Sequence, residues 1–161
     1  MAVEAILDLE GIKGECQIQG FEDQIDVLSW SWGMTQSGTT HMGSGSGSGR
    51  VNVQDLTLTK YVDFASKNLI QHACTGKHIP SGTLTVRKAG GDSPVDYVVI
   101  EFEDIIVTSV QSGGSGGDDR LLETTSLNFG SFEFKITLQE ATGAAGADAT
   151  FGWDIAANAE K

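Results

Sequence analysis

A chain of 161 residues with 39% hydrophobic content is long enough to bury one cooperative core, and two full domains would be cramped within it. Twenty-two acidic residues against ten basic ones give a net charge of −12, which repels a phosphate backbone. The longest basic cluster is the pair Arg87–Lys88, so a nucleic-acid partner is not expected. The 21 glycines against two prolines favour short glycine-rich turns between strands.

The first residues carry acidic side chains within a short apolar run that no basic segment precedes. This pattern is typical of neither a secretory signal nor a membrane anchor, so we expect a soluble chain made in the cytoplasm. The two cysteines, Cys16 and Cys74, are too few for a disulfide framework. Because Cys74 also falls on the apolar face of a predicted helix, we interpret both as free structural thiols.

Alternating apolar and polar residues predict β-strands in the first third of the chain. Residues 3–9 alternate over seven positions, and residues 25–34 alternate again. In the second segment the pattern predicts a core face formed by Leu28, Trp30, Trp32 and Met34. It places on the opposite face the residues Val27, Ser29, Ser31 and Gly33. The apolar phase then changes between Val53 and Leu56, which predicts a bulge near Gln54–Asp55.

One helix is predicted within residues 63–77. Asp63 or Ser66 can cap its first amide groups, and Gly76 provides a left-handed stop. Helical spacing predicts an apolar face formed by Leu69, Ile70, Ala73 and Cys74. A helix of about three turns is marginal alone, so a packed neighbour must stabilise it.

Strand patterns resume after the helix and continue almost to the end of the chain. Residues 82–88 and 95–110 predict an antiparallel hairpin, and residues 120–138 form a long segment whose apolar phase changes at Gly130. That change predicts a bulge. Phe151, Trp153 and Ile155 alternate in a final strand, so the residues predict an all-β barrel or sandwich with one flanking helix.

No pattern of catalytic or cofactor-binding residues stands out. The loop 43–49 alternates glycine and serine but leads into a strand rather than a helix, which disfavours a phosphate site. His72 and Cys74 lie two apart on a helix and point in different directions, which disfavours a metal site with His78 and Cys16. Acidic side chains on strands and in loops are typical of solvated surfaces, and these acids are Glu101, Glu103, Asp104, Asp118 and Asp119. We therefore expect no enzymatic activity and no cofactor.

Several motifs together resemble the haemolysin-coregulated protein (Hcp) family of bacterial type VI secretion systems. They are "DVLSWSWGM", "VNVQDLTLTKYVD", "TVRKAGG", "SGGSGGDDRLLETTSLNF" and "FGWDIAAN", and they occur in the family's order over nearly the whole chain. The resemblance is weakest over residues 132–149. It implies a single domain over residues 1–161, a β-barrel of two mostly antiparallel sheets with one short flanking α-helix and an extended Gly/Ser-rich loop at about 38–50.

The resemblance further implies a structural tube subunit rather than an enzyme. Such subunits form hexameric rings that stack into a tube, carry effector proteins in the lumen, and work with the spike protein, sheath and baseplate of the secretion machine. The protein would then be cytoplasmic before firing and secreted afterwards without a signal peptide or membrane insertion. A small monomeric ligand-binding β-barrel is the alternative, whereas an enzyme-bearing effector would need an additional catalytic domain.

Three groups of residues are candidates for assembly under this interpretation. The glycine loop is expected to contact an adjoining subunit or a stacked ring, because glycines allow close backbone approach; its residues are Thr39, His41, Met42, Gly43, Gly45, Gly47, Gly49 and Arg50. Ser29 and Ser31 are predicted to contact effectors in the lumen. Arg87 and Lys88 are predicted to contact a neighbouring ring, where they would offset the repulsion between acidic subunits.

Overall fold

The computed structural model describes residues 3–36, 50–88 and 93–161. Eleven β-strands and one α-helix lie in these ranges. In chain order they are β1 (Val3–Leu9), β2 (Ile25–Val27), β3 (Ser29–Ser31), β4 (Met34–Thr35), β5 (Asn52–Val53), β6 (Leu56–Tyr61), α1 (Ser66–Thr75), β7 (Ile79–Lys88), β8 (Val95–Gly113), β9 (Leu122–Gln139), β10 (Ala145–Asp154) and β11 (Ala159–Glu160).

Two long strands, β8 and β9, are central to the large sheet. β8 has 19 residues and β9 has 18, and they pair antiparallel along nearly their whole length. The other edge of β9 pairs first with β6 and then with β10, whereas the other edge of β8 pairs with β7. Nine strands share this sheet, and β4 and β5 form a second sheet of two strands. Every pairing is antiparallel, so the predicted all-β antiparallel fold with one short helix is confirmed.

The strand pairings and one chain connection together form a circuit that returns to its starting strand. From β1 the circuit passes through β7, β8 and β9 to β6, which pairs with β3. The chain then continues from β3 through Leu28 into β2, which pairs with β1. The amide of Leu28 donates to the carbonyl of Thr59 at 2.8 Å, so the connecting residue is itself bonded to the sheet. This circuit encloses one core.

The core is filled by large apolar side chains from all the main strands. Phe102 and Phe129 pack with ring centroids 4.5 Å apart, and Trp32 and Phe132 pack in a T-shaped arrangement with centroids 4.9 Å apart. Such aromatic pairs stabilise a core beyond the burial of their surface. The fully buried aliphatic residues include Ile6, Leu7, Leu9, Ile25, Leu56, Leu58, Leu69, Ile79, Leu84 and Ile100.

The predicted faces of residues 25–34 are partly wrong. Trp30 and Trp32 pack against the core as predicted, but Leu28 is 51% exposed and Met34 is 44% exposed. Val27, predicted on the opposite face, is buried. The segment is three short strands rather than one, because the chain leaves β1 for β6 at Leu28 and enters the second sheet at Met34. At each change of pairing strand, a new alternation of buried and exposed side chains begins.

The predicted bulge positions also need correction. Gln54–Asp55 is a break between β5 and β6, which belong to different sheets. The buried positions change phase between Ser131 and Phe132, one residue after Gly130, but the β8–β9 register is the same on both sides of that glycine. The irregularity in this ladder lies between Val107 and Ser109.

The helix is confirmed within its predicted range, but its predicted apolar face is wrong. The Asp63 carboxylate accepts the amide of Ala65 at 2.9 Å, and Gly76 ends the helix with φ of 70°. Only Ser66 and Leu69 are buried, and the remaining members of the predicted face are exposed: Ile70, Ala73 and Cys74. The helix packs through a narrow stripe, so its exposed thiol is not a core residue. Among the described residues no helix is long and apolar enough to span a membrane.

Candidate assembly surfaces

A four-stranded part of the large sheet carries an uncharged polar face. Within it β3, β6, the first half of β9 and the last part of β8 lie side by side. The register aligns two rows of side chains across the strands. One row is Ser29, Thr59, Thr124 and Gln111, and the other is Ser31, Thr57, Ser126 and Ser109. We call these eight residues the polar face.

The polar face is accessible, and two of its members bond to each other. Ser29 and Ser31 are exposed, and the threonines of β6 are half-buried. The hydroxyl oxygens of Thr57 and Ser126 lie 3.2 Å apart in a hydrogen bond across β6 and β9. Because side chains alternate along a strand, the residues between these rows point into the core. The result is a surface of small neutral groups backed by apolar packing.

Both outer edges of this four-stranded part have backbone positions that pair with no neighbouring strand among the described residues. In the ranges that the structure describes, β3 pairs with β6 alone, and β8 beyond Ile105 pairs with β9 alone. Open strand edges present unpaired amide and carbonyl groups, which are sites for pairing with another chain. The two edges differ in sequence and in length, so they are not equivalent surfaces.

A buried ionic cluster lies at the end of the same strands. The Lys60 ammonium group is fully buried, 2.8 Å from Asp63 Oδ1 and 3.1 Å from Glu123 Oε1. It also donates to the carbonyl of Tyr61 at 3.1 Å, and to the Ser66 hydroxyl at 3.3 Å. These contacts join β6, β9 and the beginning of α1. The cluster therefore ties the helix to the strands that carry the polar face.

An apolar groove lies between the β4–β5 hairpin and β10. It has a volume of about 330 Å³, and none of its eight lining residues is ionisable. The lining residues are Met34, Gln36, Val51, Val53, Phe132, Phe151, Trp153 and Asn158. Phe151 is 45% exposed, so a large aromatic surface meets solvent here.

Arg50 is the one residue of the predicted assembly loop that the structure describes. Its Nη2 atom donates to the carbonyl oxygens of Ile155 and Ala156, at 2.8 and 3.0 Å. The guanidinium group therefore fastens the chain after the loop to the turn after β10. The other predicted loop residues lie outside the described ranges, so their role in assembly stays a prediction: Thr39, His41, Met42, Gly43, Gly45, Gly47 and Gly49.

Arg87 and Lys88, predicted to contact a neighbouring ring, both bind within their own chain. Arg87 Nε lies 3.1 Å from Asp96 Oδ1, and its guanidinium carbon is 4.8 Å from the Phe21 ring centre. Lys88 Nζ lies 3.4 Å from the centre of the Tyr97 ring, a cation–π contact. These contacts hold both side chains against the sheet.

The cysteines and histidines are distributed rather than clustered. Cys16 is buried, and burial raises the pKa of its thiol, with Asp26 and Glu4 adding to the effect. His78 binds Asp104 at the surface. In the described parts of the chain no three His, Cys, Asp or Glu side chains are grouped so that they could hold a metal ion.

Sequence reasoning identified Ser29 and Ser31 but missed the residues beside them. The alternation Leu56–Thr57–Leu58–Thr59 was a visible signal, because its hydroxyl positions share one face. The alignment of Thr59 with Ser29 and Thr124 depends on strand register, and Thr59 and Thr124 are 65 residues apart in the chain. Alternation within one segment contains no such information.

The chain is similar in sequence to a known protein family along most of its length. Residues 6–136 match the family model described as "Type VI secretion system effector, Hcp". The chain is 46% identical over 161 residues to protein hcp1 of Pseudomonas aeruginosa, with 99% of each chain covered.

Solved structures agree with this sequence match. Hcp1 from Salmonella typhimurium superposes with a TM-score of 0.83 at 36% identity, and all of each chain is covered. A structure described as a type six secretion system protein has a TM-score of 0.92 at 28% identity, covering 99% of this chain and 100% of the other. The chain therefore belongs to the Hcp family of type VI secretion system proteins.

Proposed function

We propose that this Hcp protein is a structural tube subunit of a type VI secretion system, which forms hexameric rings that stack into a tube. The family match supports a role in the secretion system rather than an enzymatic role. The single structural observation that carries the proposal is the four-stranded part of the sheet. It combines an uncharged polar face with two different open edges.

Two different open edges favour a closed ring. Contacts between unlike surfaces place subunits head to tail, and they close into a ring when the rotation between neighbours allows it. If the free edge of β3 pairs with the free edge of β8 from the next subunit, both open edges of this four-stranded part are satisfied throughout the ring. Closure removes exposed strand edges, which otherwise promote irregular aggregation.

The polar face would then line the ring's channel. Small hydroxyl groups offer hydrogen bonds without a fixed charge, so they suit a surface that contacts effectors of different charge. Ser29 and Ser31 are the effector contacts in this arrangement. The tube travels with the spike protein inside the sheath, from the baseplate outward. The subunit is cytoplasmic before firing and leaves the cell with the tube.

The native mass of the purified protein tests the ring. Light scattering behind a sizing column should give six times the chain mass of 17.0 kDa, and electron microscopy should show rings with an open channel. A monomer that persists at high concentration would contradict the proposal. It would favour instead the alternative of a small ligand-binding β-barrel, since the apolar groove would then remain open to a small molecule.

Substitution at the polar face tests its role in effector binding. We expect Ser31→Arg to reduce effector co-purification at least tenfold, because a long charged side chain would occupy the channel surface. The hexamer should persist, since Ser31 is exposed rather than part of the core. Ser93→Arg is the matched control, an exposed serine in the turn before β8. Normal effector retention by Ser31→Arg rings would exclude this face as the binding surface.

A further inference from the structure

Two exposed apolar surfaces lie at opposite ends of the four-stranded part of the sheet. One is the apolar groove. The other, which we call the apolar rim, lies where β6 ends and β9 begins. Its residues and their exposed fractions are Val62 at 37%, Phe64 at 67%, Leu121 at 53% and Leu122 at 46%. Single exposed apolar residues are common on proteins, but contiguous groups of them mark interaction sites.

The rim residues are held together by backbone contacts. The amide of Val62 donates to the carbonyl of Leu121 at 2.9 Å, and Leu122 pairs with Tyr61 in the β6–β9 ladder. The amide of Phe64 donates to Glu15 Oε2 at 2.7 Å, which orders the chain just before the helix. Hydrogen bonds therefore fix the backbone of the rim.

Strand direction places the rim and the groove at opposite ends. Tyr61 and Leu122 are paired at the rim end, whereas Leu56 and Leu127 are paired at the other end. Groove residues lie beyond this second end: Val53 precedes Leu56 in the chain, and Phe132 follows Leu127 in β9. The strands between the two surfaces cover a distance on the order of 20 Å at about 3.3 Å per residue.

We infer that the rim of a subunit in one ring binds the groove of a subunit in the next ring. This inference rests on the proposed ring, because strands that join subunits through their edges direct their ends towards the neighbouring rings. Charge favours the groove as one side of this contact. Subunits of net charge −12 repel each other, and the groove offers a lining without ionised groups where a second copy can approach.

Cysteine cross-linking tests this contact even if the stacking is weak. The variant combines Leu121→Cys on the rim with Phe151→Cys in the groove, in a chain where the exposed Cys74 is replaced by serine. Both introduced cysteines occupy exposed positions, so the fold should tolerate them. Mild oxidation should produce a ladder of disulfide-linked chains on non-reducing denaturing gels, and electron microscopy should show stacked rings.

Control variants make each outcome decisive. Leu121→Cys paired with Val3→Cys, an exposed apolar position on β1, should form rings without the ladder. Each single-cysteine chain should give linked dimers at most. If rings form but the rim and groove cysteines do not link, or link only within single rings, the inference is wrong. If no variant and no native chain forms rings, the proposed function itself fails, which is a separate result.

Discussion

Lys60 is a charged residue that is buried completely within the fold. Its side chain is completely buried, and two carboxylates lie within 3.1 Å of its ammonium group. Removing one member of a buried ion pair leaves an uncompensated charge, which costs about 3–5 kcal/mol. The Glu123 Oε2 atom has no hydrogen-bond partner within the described chain, so that carboxylate depends on Lys60 and Thr125.

We predict that Lys60→Ala lowers the free energy of unfolding by about 3–5 kcal/mol, measured by urea denaturation. Lys135→Ala is the control, because its pair with Asp148 is about half exposed and should contribute less than about 1 kcal/mol. The double variant Lys60→Met/Glu123→Leu should recover part of the loss, since it removes the fully buried Lys60–Glu123 pair and leaves the Asp63 carboxylate bonded to the Ala65 amide. Equal effects of Lys60→Ala and Lys135→Ala would contradict this assignment.

Lys161 neutralises an acidic part of the β8–β9 surface. Glu101 and Glu133 are cross-strand partners, and like charges in that arrangement are destabilising. Lys161 Nζ lies 2.8 Å from Glu103 Oε1. The hydrogen bond to Glu103 raises the pKa of Lys161, and the charges of Glu103, Glu133 and Glu101 raise it further.

A raised pKa in the folded state means that Lys161 stabilises the fold while it is protonated. The contribution should be complete at neutral pH and should disappear as the pH rises above the ordinary lysine pKa of about 10.4 and through the raised value. Urea denaturation of the native chain and of Lys161→Met should therefore differ at neutral pH and converge at alkaline pH. A difference that grows with pH would contradict the sign.

At the scale of elements, close backbone contacts join the two halves of the β1–β2 connection to each other. The amide of Gly14 donates to the carbonyl of Asp23 at 2.7 Å, and that of Cys16 donates to Gln24 at 2.9 Å. A side chain at position 14 would overlap the Gln24 carbonyl group. Glycine is required here for close approach, because the atoms in the way belong to the backbone and cannot rotate aside.

We predict that Gly14→Ala destabilises the protein by about 1–3 kcal/mol, because overpacking forces the two backbone segments apart. Gly113→Ala is the control: a methyl group there meets no atom within 4 Å, so the change should stay within about 0.5 kcal/mol. Thermal unfolding of both variants measures the difference. A neutral Gly14→Ala would show that this connection rearranges without cost.

At the scale of the whole molecule, net charge opposes every assembly step. A chain of −12 repels its copies, and salt screens this repulsion, with a Debye length of about 10 Å at 0.1 M and about 3 Å at 1 M. The three cations once expected at ring contacts are already bound within the chain: Arg50, Arg87 and Lys88. Stacking through apolar surfaces should therefore respond to salt mainly through reduced repulsion.

We predict that stacking of rings increases as sodium chloride rises from about 0.1 to about 1 M. Sedimentation velocity would measure the fraction of stacked rings at each concentration. Hexamer mass should be followed in the same samples, so that ring formation and ring stacking are distinguished. Stacks that dissociate as salt rises would show that ion pairs between rings, rather than the rim and groove, hold them together.

The sequence by itself determined the fold class, the single helix with its glycine stop, the acidic surface and the family. These properties depend on alternation, spacing and motifs within short segments, which a linear sequence contains directly. Val3–Leu9 and the β7–β8 hairpin are examples, because each pattern stays within one strand or two neighbouring ones.

Only the tertiary structure decided which surfaces face outward and which side chains meet. The polar face requires the register of four strands, and a shift of one residue would turn each hydroxyl row into the core. Leu28 is exposed because the chain changes partners there, and Lys60 is buried because Asp63 and Glu123 converge on it. These outcomes depend on contacts between distant segments, whose free energies are decided by the packing of the whole molecule.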